Sequence, residues 1–113
     1  MEKVYNKLVR DNIPKIIKDD GREPIVKVLD DKTFKKELEI KLLEEYKEVL
    51  SADTSEDRIE ELADMLEIIR SLSILENKTL EDIVEVANLK RNKRGGFEKK
   101  IFLERVLEND EQI

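Results

Sequence analysis

Glu45 and Glu48 stand three residues apart in Glu44-Glu45-Tyr46-Lys47-Glu48, and Glu61 and Asp64 stand three apart in Glu61-Leu62-Ala63-Asp64. Residues at that spacing share a helix face, so two consecutive helices can each turn two acids towards the other. Carboxylates gathered in a helical core repel one another and lose hydration, and a cation must compensate. An all-oxygen donor set suits Mg²⁺ or Mn²⁺. Mg²⁺ is commonly shared between a few carboxylates and substrate phosphates, and phosphates call for cationic partners. Lys90, Arg91, Lys93 and Arg94 form one basic group, and Lys7 and Arg10 form another. Basic residues also favour helix C-termini, and any Glu-rich helix yields this acid spacing by chance.

The elements that must position these residues are read from periodicity and breakers. Ile13-Pro14 opens a short helix through Ile16, Ile17 and Lys18 that stops at Gly21. Residues 25–29, Ile-Val-Lys-Val-Leu, read as a short strand or extended arm. A long helix runs from about Thr33, its N-cap, to Leu50. A turn at 51–54 leads into a second long helix from near Ser55 to about Glu76, broken by Asn77-Lys78. Thr79-Leu80-Glu81-Asp82 resembles a capping box, with Asp in place of Glu, and opens a third helix ending before Gly95-Gly96. The tail from Phe97 to Val106, with Ile101-Phe102-Leu103, reads equally as a strand or as helical continuation. The fold class is all-α, with short extended segments near 25–29 and 98–104, in one domain spanning 1–113.

On the first long helix, at about 100° per residue, Leu38, Leu42, Tyr46, Val49 and Leu50 share an apolar arc and Glu45 sits at its edge. On the second, Ile59, Leu62, Ala63, Leu66 and Ile69 form one arc, which Met65, Ile68 and Leu72 widen. Glu61 projects among Ile68, Leu72 and Met65, where a polar residue needs a reason. Glu44, Glu60 and Glu67 read as solvated. An arc this wide implies packing on two sides, the second against another subunit.

Composition narrows the chemistry. The 113 residues include no Cys and no His. That excludes disulfides, thiolate sites, imidazole catalysis and the Glu-x-x-His ligand sets of di-iron bundles. A net charge of -6 argues against a general affinity for nucleic acid backbones. No apolar run is long enough to span a membrane, and Met1-Glu2-Lys3 shows no apolar signal segment, which reads as cytoplasmic.

Glu44-Glu45-x-x-Glu48, twelve intervening residues and Glu61-x-x-Asp64 resemble the EExxE…ExxD signature of MazG-like nucleotide pyrophosphohydrolases, of the all-α NTP pyrophosphatase superfamily. Asn88-x-Lys90-x-x-x-Arg94 is similar to that family's Asn-x-Lys-Phe-x-x-Arg segment, with Arg91 in place of the Phe. The opening Tyr5-Asn6-Lys7-Leu8-Val9-Arg10-Asp11-Asn12-Ile13-Pro14 resembles a phosphoribosyl-ATP pyrophosphohydrolase-like subgroup.

The resemblance implies a homodimeric or homotetrameric, Mg²⁺-dependent enzyme that hydrolyses a nucleoside triphosphate or related nucleotide to a monophosphate and pyrophosphate. It implies Glu45, Glu48, Glu61 and Asp64 as metal ligands and Glu44, with Glu45, as the acids acting on water. Asn88, Lys90 and Arg94 would hold substrate. Lys7 and Arg10 are added to the substrate group from their charge. Two rival readings use the same helices: a non-catalytic nucleotide or metal sensor, and a plain helical oligomerisation module.

Overall fold

The structure, a computed structural model, describes residues 1–108. Helices α1 (Ile13–Asp19), α2 (Asp31–Ser51), α3 (Ser55–Leu75) and α4 (Leu80–Arg94) follow one another, and no strand occurs among the described residues. The all-α expectation holds. Residues 25–29 and 98–104 enter neither helix nor ladder. The chain divides into two compact units, Met1–Leu80 and Glu81–Ile113. The first holds α1, α2 and α3, and the second nearly all of α4 and the segment that follows.

Local chemistry sets the helix ends. Pro14 lies in the first turn of α1, where its missing N–H has no intrahelical partner to lose. Gly21, at φ 81°, takes the left-handed conformation that ends this helix. Helix α2 begins at Asp31, two residues before the Thr33 start expected, and its cap is Asp30. The Asp30 carboxylate accepts the Thr33 backbone N–H at 2.8 Å. Thr33 is thus the capped residue, not the cap, and its N–H holds the Asp30 carboxyl below its usual value. Asn77, at φ 58°, closes the C-terminal end of α3 in a conformation Asn tolerates better than most residues.

Thr54 starts α3: its hydroxyl accepts the Asp57 N–H at 3.1 Å. Arg58, one turn in, donates to the Val49 carbonyl at 3.3 Å, satisfying one of the carbonyls left free where α2 ends. The Thr54→Ala variant is expected to be less stable by about 1 kcal/mol, the ordinary worth of an N-cap side chain. Urea denaturation followed by circular dichroism measures it, and an unchanged midpoint would show that the hydroxyl does no capping.

Helices α2 and α3 pack as an antiparallel hairpin. The α2 side of the seam is Leu38, Leu42, Glu45 and Val49, at intervals of four, three and four. The α3 side is Glu61, Met65, Ile68, Leu72 and Leu75, at four, three, four and three. This is coiled-coil spacing, and every one of these residues is buried or half-buried, with Leu38 at 3% and Ile68 at 5% exposure. Ser73, also buried, donates its hydroxyl to the Ile69 carbonyl at 2.7 Å, so its burial leaves no unmet donor.

The seam is narrower than the expected arcs. Tyr46 and Leu50, expected on the core side of α2, are exposed, because the four-three-four line rotates past them. On α3 the core face is the Met65, Ile68 and Leu72 side, while Ile59, Leu62 and Leu66 point outwards. Acids therefore occupy two positions in the seam where the spacing calls for apolar side chains.

Candidate metal centre

Glu45 lies eight residues before Asp53, and Glu61 eight after it. Folding the chain back at the 52–54 turn brings these two seam positions opposite each other. Carboxylate oxygens of Glu45, Glu61 and Asp64 lie within 4.8 Å of one another. All three residues are half-buried. Asp64, three residues after Glu61, stands on the same face one turn on.

The pair at the centre is electrostatically frustrated. Glu45 Oε2 and Glu61 Oε2 are both buried with no hydrogen-bond partner. Two ionised carboxylates have four acceptor oxygens and no donor between them. A hydrogen bond can join them only when one carries a proton. The Glu45 carboxylate facing it is the largest influence on Glu61, followed by desolvation and then by the charge of Glu48, and together they push the Glu61 carboxyl up to about 7. Glu48, exposed on α2, stays outside the three-oxygen group but acts on Glu61 through its charge.

The donor set fits a small divalent cation. Ligand oxygens of an octahedral ion at about 2.1 Å stand about 3.0–4.2 Å apart, and the acids need only close slightly to meet that. Such an ion would supply a partner for both orphaned oxygens at once. With neither His nor Cys in the chain, the set is all oxygen, which suits Mg²⁺ or Mn²⁺.

The N-terminal segment reaches this centre. Arg10 Nη2 donates to Asp64 Oδ1 at 2.8 Å, across 54 residues of sequence. Both side chains are about half-exposed. Lys7 lies over the Tyr5 ring, 5.8 Å from its centre. It also lines a shallow hollow with Leu8, Glu37, Ile40, Lys41 and Glu44. So the first unit gathers Glu44, Glu45, Glu48, Glu61, Asp64, Lys7 and Arg10 around one stretch of the hairpin. Charge alone had pointed to Lys7 and Arg10, and nothing in the sequence pointed to Asp64 as the partner.

Asn88, Lys90 and Arg94 belong to the second unit, exposed on α4. Lys90 and Arg94 make no ion pair among the described residues. Arg91, which stands where the similar motif has Phe, is engaged: it pairs with Glu98 just beyond the helix. The Glu98 carboxyl is held below its usual value by its own backbone N–H and by Arg91. Gly96 leaves room for this clasp, since a Cβ there would meet the Arg91 guanidinium at 2.7 Å.

Among known proteins, this chain is 42% identical over 53 residues to an uncharacterised protein of Mycolicibacterium smegmatis. The match covers 47% of this chain and 54% of that protein, so the chain spans about half the length of the curated relative it matches. No family model and no solved structure matches.

Proposed function

We propose that the chain is a Mg²⁺-dependent nucleotide pyrophosphohydrolase, converting a nucleoside triphosphate or related nucleotide to a monophosphate and pyrophosphate, in the manner of the MazG-like enzymes its motifs resemble. The observation that carries this reading is the pair of orphaned, buried carboxylate oxygens of Glu45 and Glu61 in the hairpin seam, with Asp64 beside them. A structural hairpin gains nothing from acids there. A cation-dependent site requires them.

In this reading Glu45, Glu48, Glu61 and Asp64 hold Mg²⁺, which when bound neutralises phosphate charge and lowers the pKa of a bound water. The protein's own groups do the rest. Glu44, exposed next to Glu45, orients the attacking water and accepts its proton, a task that falls to a carboxylate in a chain without His. Asn88, Lys90 and Arg94, of which the two cations make no ion pair among the described residues, are the residues that the resembled motif assigns to phosphate oxygens. The exposed apolar face of α3, Ile59, Leu62 and Leu66, fits burial in a homodimer or homotetramer. Among the described residues, no helix is long and apolar enough to cross a membrane.

The test is a screen of canonical, deoxy- and damaged nucleotides with Mg²⁺, reading pyrophosphate release, beside thermal unfolding with and without Mg²⁺. Pyrophosphate is expected only with the metal, together with a raised Tm, because a ligand that binds only the folded state must stabilise it. Calorimetric binding of Mg²⁺-nucleotide without product would identify a sensor instead. A Tm indifferent to Mg²⁺ would leave a helical module without a metal centre.

A further inference from the structure

Arg10 is an unusual neighbour for a candidate metal ligand. It comes from an irregular segment ahead of α1, not from the hairpin, and its guanidinium sits on Asp64 Oδ1 at 2.8 Å. Asp64 is one of the three acids whose oxygens converge. A guanidinium on that carboxylate sets a positive charge beside any divalent ion the three acids would hold, and the two cations repel. The pair is also weak: both partners are half-exposed, and an exposed ion pair shifts an equilibrium by about fivefold at most. A divalent ion among three carboxylates gains much more from the same charges.

We infer that Arg10 is a placeholder for the divalent cation: it occupies Asp64 in the metal-free protein, is displaced when the cation binds, and in its released state becomes a ligand for substrate phosphate. The inference rests on the metal-dependent reading of the acid cluster. It gives the N-terminal segment a definite role. Metal loading and the presentation of a phosphate-binding guanidinium become one event, so a substrate phosphate meets a free Arg10 only when the ion that must share that phosphate is in place. Lys7, three residues earlier on the same segment, lines the hollow that also holds Glu44. Arg is suited to the second task, since its planar fork matches carboxylate and phosphate oxygens alike.

The experiment is NMR of the full chain, following the Arg10 Nε–Hε signal, assigned with Arg10→Lys, while Tm is measured on the same samples. In the metal-free protein the Arg10 side chain is expected to be ordered. Mg²⁺ alone should raise Tm and abolish that order. Adding inorganic pyrophosphate with Mg²⁺ should restore it. Asp64→Asn should leave Arg10 mobile without any metal. If Mg²⁺ raises Tm while Arg10 stays ordered, the placeholder is overturned and the metal centre stands. If Arg10 is released but pyrophosphate does not restore its order, the phosphate role is overturned. If Mg²⁺ changes neither Tm nor Arg10, the metal centre fails and the inference fails with it.

Discussion

Glu45→Gln and Glu61→Gln are each expected to lower Mg²⁺-dependent pyrophosphate release at least about a hundredfold, since losing even an outer partner of a metal ligand costs about 10- to 100-fold. The substitution suits the site because it removes charge and little else. Gln has the shape of Glu and brings an N–H₂ donor. In either variant that donor can bond the facing carboxylate and relieve the crowding of acids that pushes Glu61 up. The hairpin should fold at least as well as before, with unchanged helical circular dichroism. A fall in rate then reports lost cation binding or lost chemistry and not unfolding. The Mg²⁺-induced rise in Tm should shrink with it. Full activity in either variant would remove these two acids from the centre.

What the sequence could and could not reveal divides along physical lines. Glu61 was legible as anomalous because a helix of fixed pitch places it among Ile68, Leu72 and Met65 whatever the helix packs against. Its partnership with Glu45 followed from two helices joined by a short turn. The seam itself was not legible in full. α3 carries apolar residues on so much of its circumference that periodicity does not say which side meets α2. The structure gives that place to Met65, Ile68 and Leu72 and leaves Ile59, Leu62 and Leu66 outside. Tyr46 and Leu50 leave the core for a related reason: a broad arc and a four-three-four line share Leu38, Leu42 and Val49 and differ only at the flanks.

The α2 start shows a different limit. Asp30, Asp31 and Thr33 are all competent caps, and composition does not rank them. The backbone does: Asp30 is extended and its carboxylate reaches the Thr33 N–H. The Arg10–Asp64 pair had no local signature at all, because its partners are 54 residues apart and only the fold brings them together. The basic residues of α4 illustrate the converse. Arg91 looked like one more cation in a cluster, yet its engagement with Glu98 separates it from Lys90 and Arg94. The departure from the similar motif at that position thus has a structural use of its own.

The metal-free protein is expected to lose stability as pH rises from about 5 to about 8, and Glu61→Leu is expected to abolish that particular loss. Glu61 titrates at about 7 in the folded chain against an ordinary value of 4.5. Between those values the folded state holds a proton that the unfolded state has released. Stability therefore falls with rising pH across this window, and the full penalty is present above the folded value. Leu at position 61 carries no charge and continues the apolar seam formed by Met65, Ile68 and Leu72. Its Tm at pH 8 should exceed that of the natural protein, because a half-buried carboxylate crowded by other acids is exchanged for a side chain that packs in the seam. Mg²⁺ should close the gap from the other side, raising the Tm of the natural protein at pH 8 and leaving the Leu variant unmoved. Thermal unfolding of both proteins across this pH range, with and without Mg²⁺, measures all three effects. Parallel Tm curves for the two proteins would mean that Glu61 bears no strain in the seam, and with no strain to relieve, the structural case for a cation between the helices would collapse.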